Sequence, residues 1–184
     1  MATIDTAVEQ LMAGEVIAYP TEAVYGLGCD PDNEDAVLKL LAIKQRPVAK
    51  GLILIAANYS QLLPYIHDNA IPIERRFQIF SSWPGHVSWV LPASAKAPRW
   101  ITGNFNSIAV RVSAHPIVQQ LCQAYGKPIV STSANLAGEA AINDYQQLLA
   151  SIGLQVAAVV DGPLGGATQP SQIRDAMTGE IIRS

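Results

Sequence analysis

Four short apolar runs decide what this chain can fold into: Val16-Ile17-Ala18-Tyr19, Leu52-Ile53-Leu54-Ile55, Ile108-Ala109-Val110-Arg111-Val112 and Pro128-Ile129-Val130. Each has the length of a strand, and their nearly unbroken apolarity is that of strands buried in a sheet. Stretches with helical spacing separate them. Ala7 to Met12 stops at Gly14, and a helix capped by Asp32, with Asp35 as its third residue, presents Val37, Leu38, Leu40, Leu41 and Ile43. Further helices are expected from Asn58 through Leu63, from Ile73 to Phe80, from His115 to Tyr125 with Gly126 at its end, and from Asp144 to Ile152. Val87 to Leu91 and Val156 to Val160 read as strands, and Ile173 pairs with Ile181-Ile182 through a hairpin at Thr178-Gly179. Interleaved strands and helices without repeat or linker imply one α/β domain over residues 1–184, a mixed sheet with flanking helices.

Composition narrows the class. Apolar residues make up 49% and charged residues 15%, against a usual charged share of about 25%, which excludes a disordered tail or a coiled coil. No window approaches the roughly 18 apolar residues of a membrane helix, since the most apolar stretch, Gly51 to Ala57, is strand-length. The start, Met-Ala-Thr-Ile-Asp, has no basic segment leading into an apolar one, so a cytoplasmic protein without membrane contact is expected. Cys29 and Cys122 fit neither a disulfide framework nor a metal spacing and read as small buried hydrophobes.

The net charge of −3 conceals a segregation. From Met1 to Asp35 there are eight acids and no Lys or Arg; from Ala36 to Gly138 there are ten bases against Asp68 and Glu74. Arg75, Arg76, Lys96, Arg99, Arg111 and Lys127 fall in a stretch without any carboxylate. Such a distribution suggests a cationic surface facing an anion.

No G-x-x-x-x-G-K-S/T loop, G-x-G-x-x-G turn, H-E-x-x-H or paired C-x-x-C occurs, so phosphates would need another cradle. Lys44, Arg46 and Lys50 supply one: Pro47 ends the helix and fixes the loop, so three cations leave one short connection into a buried strand. Ser131-Thr132-Ser133-Ala134-Asn135 is a polar turn just beyond the strand Pro128 to Val130, at the carboxyl end of the strand, where open α/β sheets bind ligands. Tyr19 to Gly28 also follows a strand, its glycines allowing close approach of a ligand or a tight turn. Arg111 interrupts an apolar strand and needs an anion, and the scarcity of acids nearby in sequence favours one brought by a ligand. His67, His86 and His115 are scattered and read as structural or exposed; Trp83, Trp89 and Trp100 read as core. No Ser-His-Asp arrangement can be assembled.

Taken in order, the segments Val16 to Glu22, Lys44 to Pro47, Lys50 to Ile55, Trp83-Pro84-Gly85, Pro98 to Gly103, Ala109 to Val112, Ser131 to Asn135 and Pro170 to Ile173 closely resemble the YrdC-like family, and within it the short, single-domain bacterial members. The resemblance implies a twisted open sheet around a deep, positively charged cavity. It further implies that L-threonine and bicarbonate or CO2 form an N-carboxy amino acid, which displaces pyrophosphate from ATP to give threonylcarbamoyl-adenylate. That product goes to partner proteins that modify adenosine 37 of tRNAs reading codons that begin with A. Lys44 and Arg46 match the family's K-x-R motif and Lys50 its following lysine, implying contact with ATP phosphates and their Mg²⁺, with Lys44 and Arg46 as the catalytic pair. Ser133 and Asn135 match an S-x-N element on the nucleotide side, where Arg183 is also implied. Thr21, Tyr25, Arg111, Ser131 and Ser171 are implied at threonine. No metal site of the chain's own is implied.

The sequence departs from the family pattern at Ala23, where Thr is common, at Ile55, where longer relatives carry His, and at His86, where Pro is commoner. These changes bear on the threonine pocket more than on the ATP site. A role in binding tRNA or double-stranded RNA through the cavity rim is the alternative; carbamoyl-adenylate formation, as in hydrogenase-maturation carbamoyltransferases, is disfavoured because their accessory domains are missing.

Overall fold

A computed structural model describes residues 2–184. The helices are α1 Ile4–Met12, α2 Glu34–Lys44, α3 Ile73–Ser81, α4 Arg99–Thr102, α5 Pro116–Tyr125 and α6 Tyr145–Ile152. The strands are β1 Ile17–Pro20, β2 Tyr25–Gly28, β3 Ile53–Ala56, β4 Val87–Pro92, β5 Ser107–Val112, β6 Ile129–Ser133, β7 Ala158–Val159, β8 Gln172–Asp175 and β9 Ile181–Arg183. They form one mixed sheet in the order β7-β1-β2-β6-β3-β5-β4-β8-β9. The pairs β1/β7, β3/β5 and β4/β8 are parallel, the others antiparallel. The α/β class and mixed sheet anticipated from the sequence are therefore found, as is the β8/β9 hairpin, with Gly179 in its turn at φ 80°.

Local chemistry explains the boundaries that moved. Asn33, not Asp32, caps α2, its side chain accepting from the Ala36 N–H at 3.1 Å. Asp32 instead accepts from Lys127 Nζ and the Tyr65 hydroxyl. The segment after Asn58 yields only a 3₁₀ turn, Tyr59–Gln61, before a second short turn containing Pro64. The polar run beginning at Ser131 is not yet a turn: β6 continues to Ser133, because Ser131 and Thr132 pair with Ile53 and Leu27.

One face of the sheet is closed throughout by a core that includes Leu27, Leu54, Trp89, Val110 and Val130 from the strands, with Val37 and Leu40 of α2. The other face has two fates. At one end Ile17, Tyr19, Ile55 and Ile129 are sealed by Leu11 of α1 and by Val118 and Leu121 of α5. Further along, these two helices do not reach. There Gly26, Ile53, Ser88, Val90, Ala109, Arg111, Ser131 and Ser133 become the floor of a cavity. Small and hydroxylated side chains on that stretch leave space that Leu or Ile would fill. Both cysteines are buried, and burial pushes the Cys122 thiol up to about 12.

Candidate active site

The cavity measures about 730 Å³, within the range of small-molecule sites. At one end stands the C-terminus of α2. The helix closes through Gln45 in the left-handed region at φ 52°, with the Gln45 and Arg46 N–H groups donating to Ala42 and Leu41 carbonyls. That turn delivers Lys44 and Arg46 to the same space. Lys44 is buried and donates from Nζ to the carbonyls of Ser133 at 2.6 Å and Asn135 at 2.8 Å, leaving one of its three N–H donors for a ligand. Burial, then the neighbouring Arg46, pushes its ammonium down to about 8. Arg46 donates through Nη2 to the Gly51 carbonyl at 3.0 Å, while its buried Nε has no partner. Lys50 lines the same end from an exposed position. Among the described residues, none of these three cations has a carboxylate within ion-pair distance. Asn135 uses its amide to hold the following loop, donating to Leu136 and Glu139 carbonyls, and its buried Oδ1 is unpartnered.

The other end is built around Arg111. β5 sets it opposite Ile55 of β3, whereas Gly51, which holds Arg46, lies ahead of that strand. At about 3.3 Å per residue the two levels are on the order of 10 Å apart. Arg111 Nη2 stands 3.6 Å from Glu22 Oε2, and Nη1 lies 2.9 Å from His86 Nδ1. Its buried Nε has no hydrogen-bond partner. Burial alone would raise the Glu22 carboxyl, but Arg111 and the Ser113 hydroxyl hold it below its usual range. Beside this group, Ser88 and Ser171 share a hydroxyl contact at 3.1 Å, and Arg183 Nη2 donates to the Ser171 carbonyl at 2.8 Å and to its hydroxyl. Burial and the nearby Arg111 lower the Arg183 guanidinium.

Thr21, Lys44, Arg46, Lys50, Arg111, Ser131, Ser133, Asn135, Ser171 and Arg183 therefore come together around one cavity. Tyr25 is the correction. Strand alternation turns Gly26 into the cavity and Tyr25 away from it, into the core beside Tyr145, with its hydroxyl 3.3 Å from the Gly162 carbonyl. Arg183, expected on the nucleotide side, is bonded to Ser171, which was expected at threonine. Arg111 finds its carboxylate within the protein, in Glu22, not solely in a ligand. His86, read as structural or exposed, lines the cavity and meets Arg111; Ser88 was not singled out at all. Glu22 lies in the Tyr19 to Gly28 segment, where an acid beside a buried strand was the available signal. Ala23 does line the cavity, but Ile55 is sealed in the α1/α5 core.

Of the ten bases from Ala36 to Gly138, Lys44, Arg46, Lys50 and Arg111 line the cavity, so the cationic surface suggested by charge is drawn from part of that stretch. Among the bases from Arg75 to Lys127 only Arg111 lines the cavity. Arg76 pairs with Asp68, and Lys127 with Asp30 and Asp32; Lys39 pairs with Glu15. The N-terminal acids thus neutralise several mid-chain bases, and of the mid-chain bases that line the cavity the three at the end of α2 have no carboxylate partner among the described residues. Among the described residues no helix is long and apolar enough to cross a membrane.

The family model described as telomere recombination, whose name joins Sua5, YciO and YrdC, matches residues 9–184. A threonylcarbamoyl-AMP synthase of Pseudoalteromonas translucida is 57% identical over 182 residues, covering 99% of this chain and 97% of that one. One from Escherichia coli is 57% identical over 180 residues, covering 98% and 94%. Among solved structures, P. abyssi Sua5 complexed with L-threonine superposes with a TM-score of 0.87 at 32% identity, covering 94% of this chain and 50% of that chain, so that the present chain spans half its length. E. coli YciO gives a TM-score of 0.80 at 26% identity, covering 98% and 90%. With the family model and near full-length relatives in agreement with the sheet and cavity, the chain belongs to the Sua5/YciO/YrdC family.

Proposed function

We propose that this protein joins L-threonine, bicarbonate or CO2, and ATP into threonylcarbamoyl-AMP and pyrophosphate. The observation that carries the reading is the pairing of an uncompensated cation cluster with a separate arginine group in one cavity. Lys44, Arg46 and Lys50 have no protein anion to satisfy them, and a triphosphate supplies several negative charges at that spacing. Arg111, half-compensated by Glu22, has spare donors for a single carboxylate. Both substrates are thus oriented by charge before any bond changes.

The neutral threonine amine adds to CO2 and loses a proton to water, giving a carbamate. A carbamate oxygen then attacks the α-phosphorus, and the bond to the β-phosphate oxygen breaks with release of pyrophosphate. Negative charge grows on the leaving pyrophosphate, where Lys44, Arg46 and Lys50 stabilise it in a partly dehydrated site. The triphosphate enters as its Mg²⁺ complex, so the ion arrives with the substrate. Ser131 and Ser133 supply hydroxyls on the floor between the two groups. The product is a reactive mixed anhydride, suited to transfer onto tRNA adenosine 37 by downstream proteins. Binding of RNA by the rim draws less support, because among the bases from Arg75 to Lys127 only Arg111 lines the cavity, and it is buried.

Incubation with ATP, Mg²⁺, bicarbonate and one amino acid at a time tests the reading. Threonine-dependent formation of pyrophosphate and the adenylate is expected; pyrophosphate release indifferent to threonine would overturn it.

A further inference from the structure

We propose that His86 is a positioning residue for the amino-acid end of the cavity, a neutral imidazole that ties Arg111 to the 169–171 segment and releases Arg111 when it takes up a proton. The inference rests on the proposed function.

His86 Nδ1 lies 2.9 Å from Arg111 Nη1, and its Nε2 lies 2.8 Å from the Gln169 carbonyl. A guanidinium can only donate and a carbonyl can only accept. Nδ1 must therefore be the bare acceptor nitrogen, and Nε2 must carry the hydrogen. One tautomer of the neutral ring satisfies both partners. The imidazolium satisfies Gln169 but not Arg111, and it sets two cations at hydrogen-bond distance.

Two residues beyond Gln169 is Ser171, whose carbonyl and hydroxyl are held by Arg183 and whose hydroxyl meets Ser88. The imidazole thus bridges β5 to the segment entering β8, and each side supplies groups to the same end of the cavity. The charged groups around it are Arg111 in β5, Glu22 after β1 and, beyond Arg111, Arg183 in β9. Glu22 is the opposing hold: one oxygen stands 3.6 Å from Arg111 Nη2, while the other accepts from Ser113 at 2.7 Å and from the Ala114 N–H. With His86 neutral, Arg111 is held from both sides. With His86 charged, Glu22 alone holds it and the guanidinium moves from its threonine-binding position.

The test is steady-state kinetics of the full chain across about pH 8 to 5, the range in which imidazoles titrate, with threonine and ATP varied separately. His86→Ala is expected to raise KM for threonine about tenfold at the upper pH, the loss of one charge-assisted hydrogen bond, with KM for ATP within about twofold. In His86→Asn the amide oxygen reaches the place of Nδ1 and does not titrate. That variant is expected to recover most of the affinity and to lose the acid-side rise in threonine KM that the wild type shows. Calorimetric binding of threonine and melting temperatures accompany the kinetics, so that misfolding is recognised. Nitrogen-15 shifts of the wild-type ring should report a bare Nδ1 and a protonated Nε2. An unchanged threonine KM in a folded His86→Ala, parallel pH profiles in wild type and His86→Asn, or the opposite tautomer would each overturn the inference while threonine-dependent adenylate formation stood. Absence of that formation in the wild type would overturn the function, and this inference with it.

Discussion

Lys44 and Arg46 at one end of the cavity are held in the opposite way to Arg111 at the other, where Arg183 is also fastened to a backbone carbonyl, that of Ser171. Lys44 and Arg46 are fastened to backbone carbonyls, at Ser133, Asn135 and Gly51, and no carboxylate meets them. Arg111 is fastened to a carboxylate and an imidazole. Neutral dipoles fix a cation's place without cancelling its charge, so the α2 end keeps its demand for anions and suits a polyphosphate. Glu22 cancels much of the Arg111 charge, so that end suits a single carboxylate and owes its selectivity to geometry. Under the proposed function, what separates the phosphate end from the amino-acid end is the Glu22 counter-ion.

The largest effect expected from breaking this contrast is at Arg46. Arg46→Ala should lower adenylate formation about 100-fold or more, as for loss of a transition-state donor, with an unchanged circular dichroism spectrum; retained activity would reduce the cluster to a solvated helix end. Next comes Arg111→Ala, which strands the buried Glu22 carboxylate. A loss of about 3 kcal/mol in denaturant unfolding is expected, with threonine KM raised at least about tenfold. Adding Glu22→Gln should restore much of the stability but not the affinity, and recovery of both would assign Arg111 a structural role alone.

A smaller effect comes from pH at Lys44, whose ammonium is lowered from 10.5 to about 8. Above that value the folded amine is neutral while the unfolded chain still binds the proton. The ligand-free protein therefore gains stability from this group as pH rises through the interval between the two values. ATP binding moves the other way: its KM should rise a few-fold above about pH 8, while threonine KM changes less. Parallel changes in both would erase the distinction between the two ends. The smallest effect belongs to Tyr25→Phe. The ring points away from the cavity, so kcat and both KM values should stay within about twofold, as measured in the same assay.

How much of this was legible in the sequence follows from the range of each interaction. The α2 end was readable because Lys44, Gln45, Arg46 and Pro47 are neighbours, and a proline that stops a helix fixes where its last cations go. Arg111 was readable as a charge in an apolar strand, but its partners were not: Glu22 is far away in the chain and meets it only because β1, β2 and β6 bring that turn beside β5. The same distance hid the service of Lys127 and Lys39 to N-terminal acids. Tyr25 was misjudged because a motif names a segment, whereas strand alternation decides which of its residues face a ligand. The Asp32 and Asn33 choice turned on one residue between two good caps. His86 was legible only as a departure from the family pattern, because the reach of its two nitrogens depends on the approach of β5 and the 169–171 segment.

Calorimetric titration of Arg46→Ala with L-threonine tests most directly whether the two ends bind their ligands independently. Division of labour predicts threonine affinity within about twofold of wild type in a protein that no longer forms the adenylate. A tenfold weaker threonine affinity would contradict it and make the cavity a single cationic site.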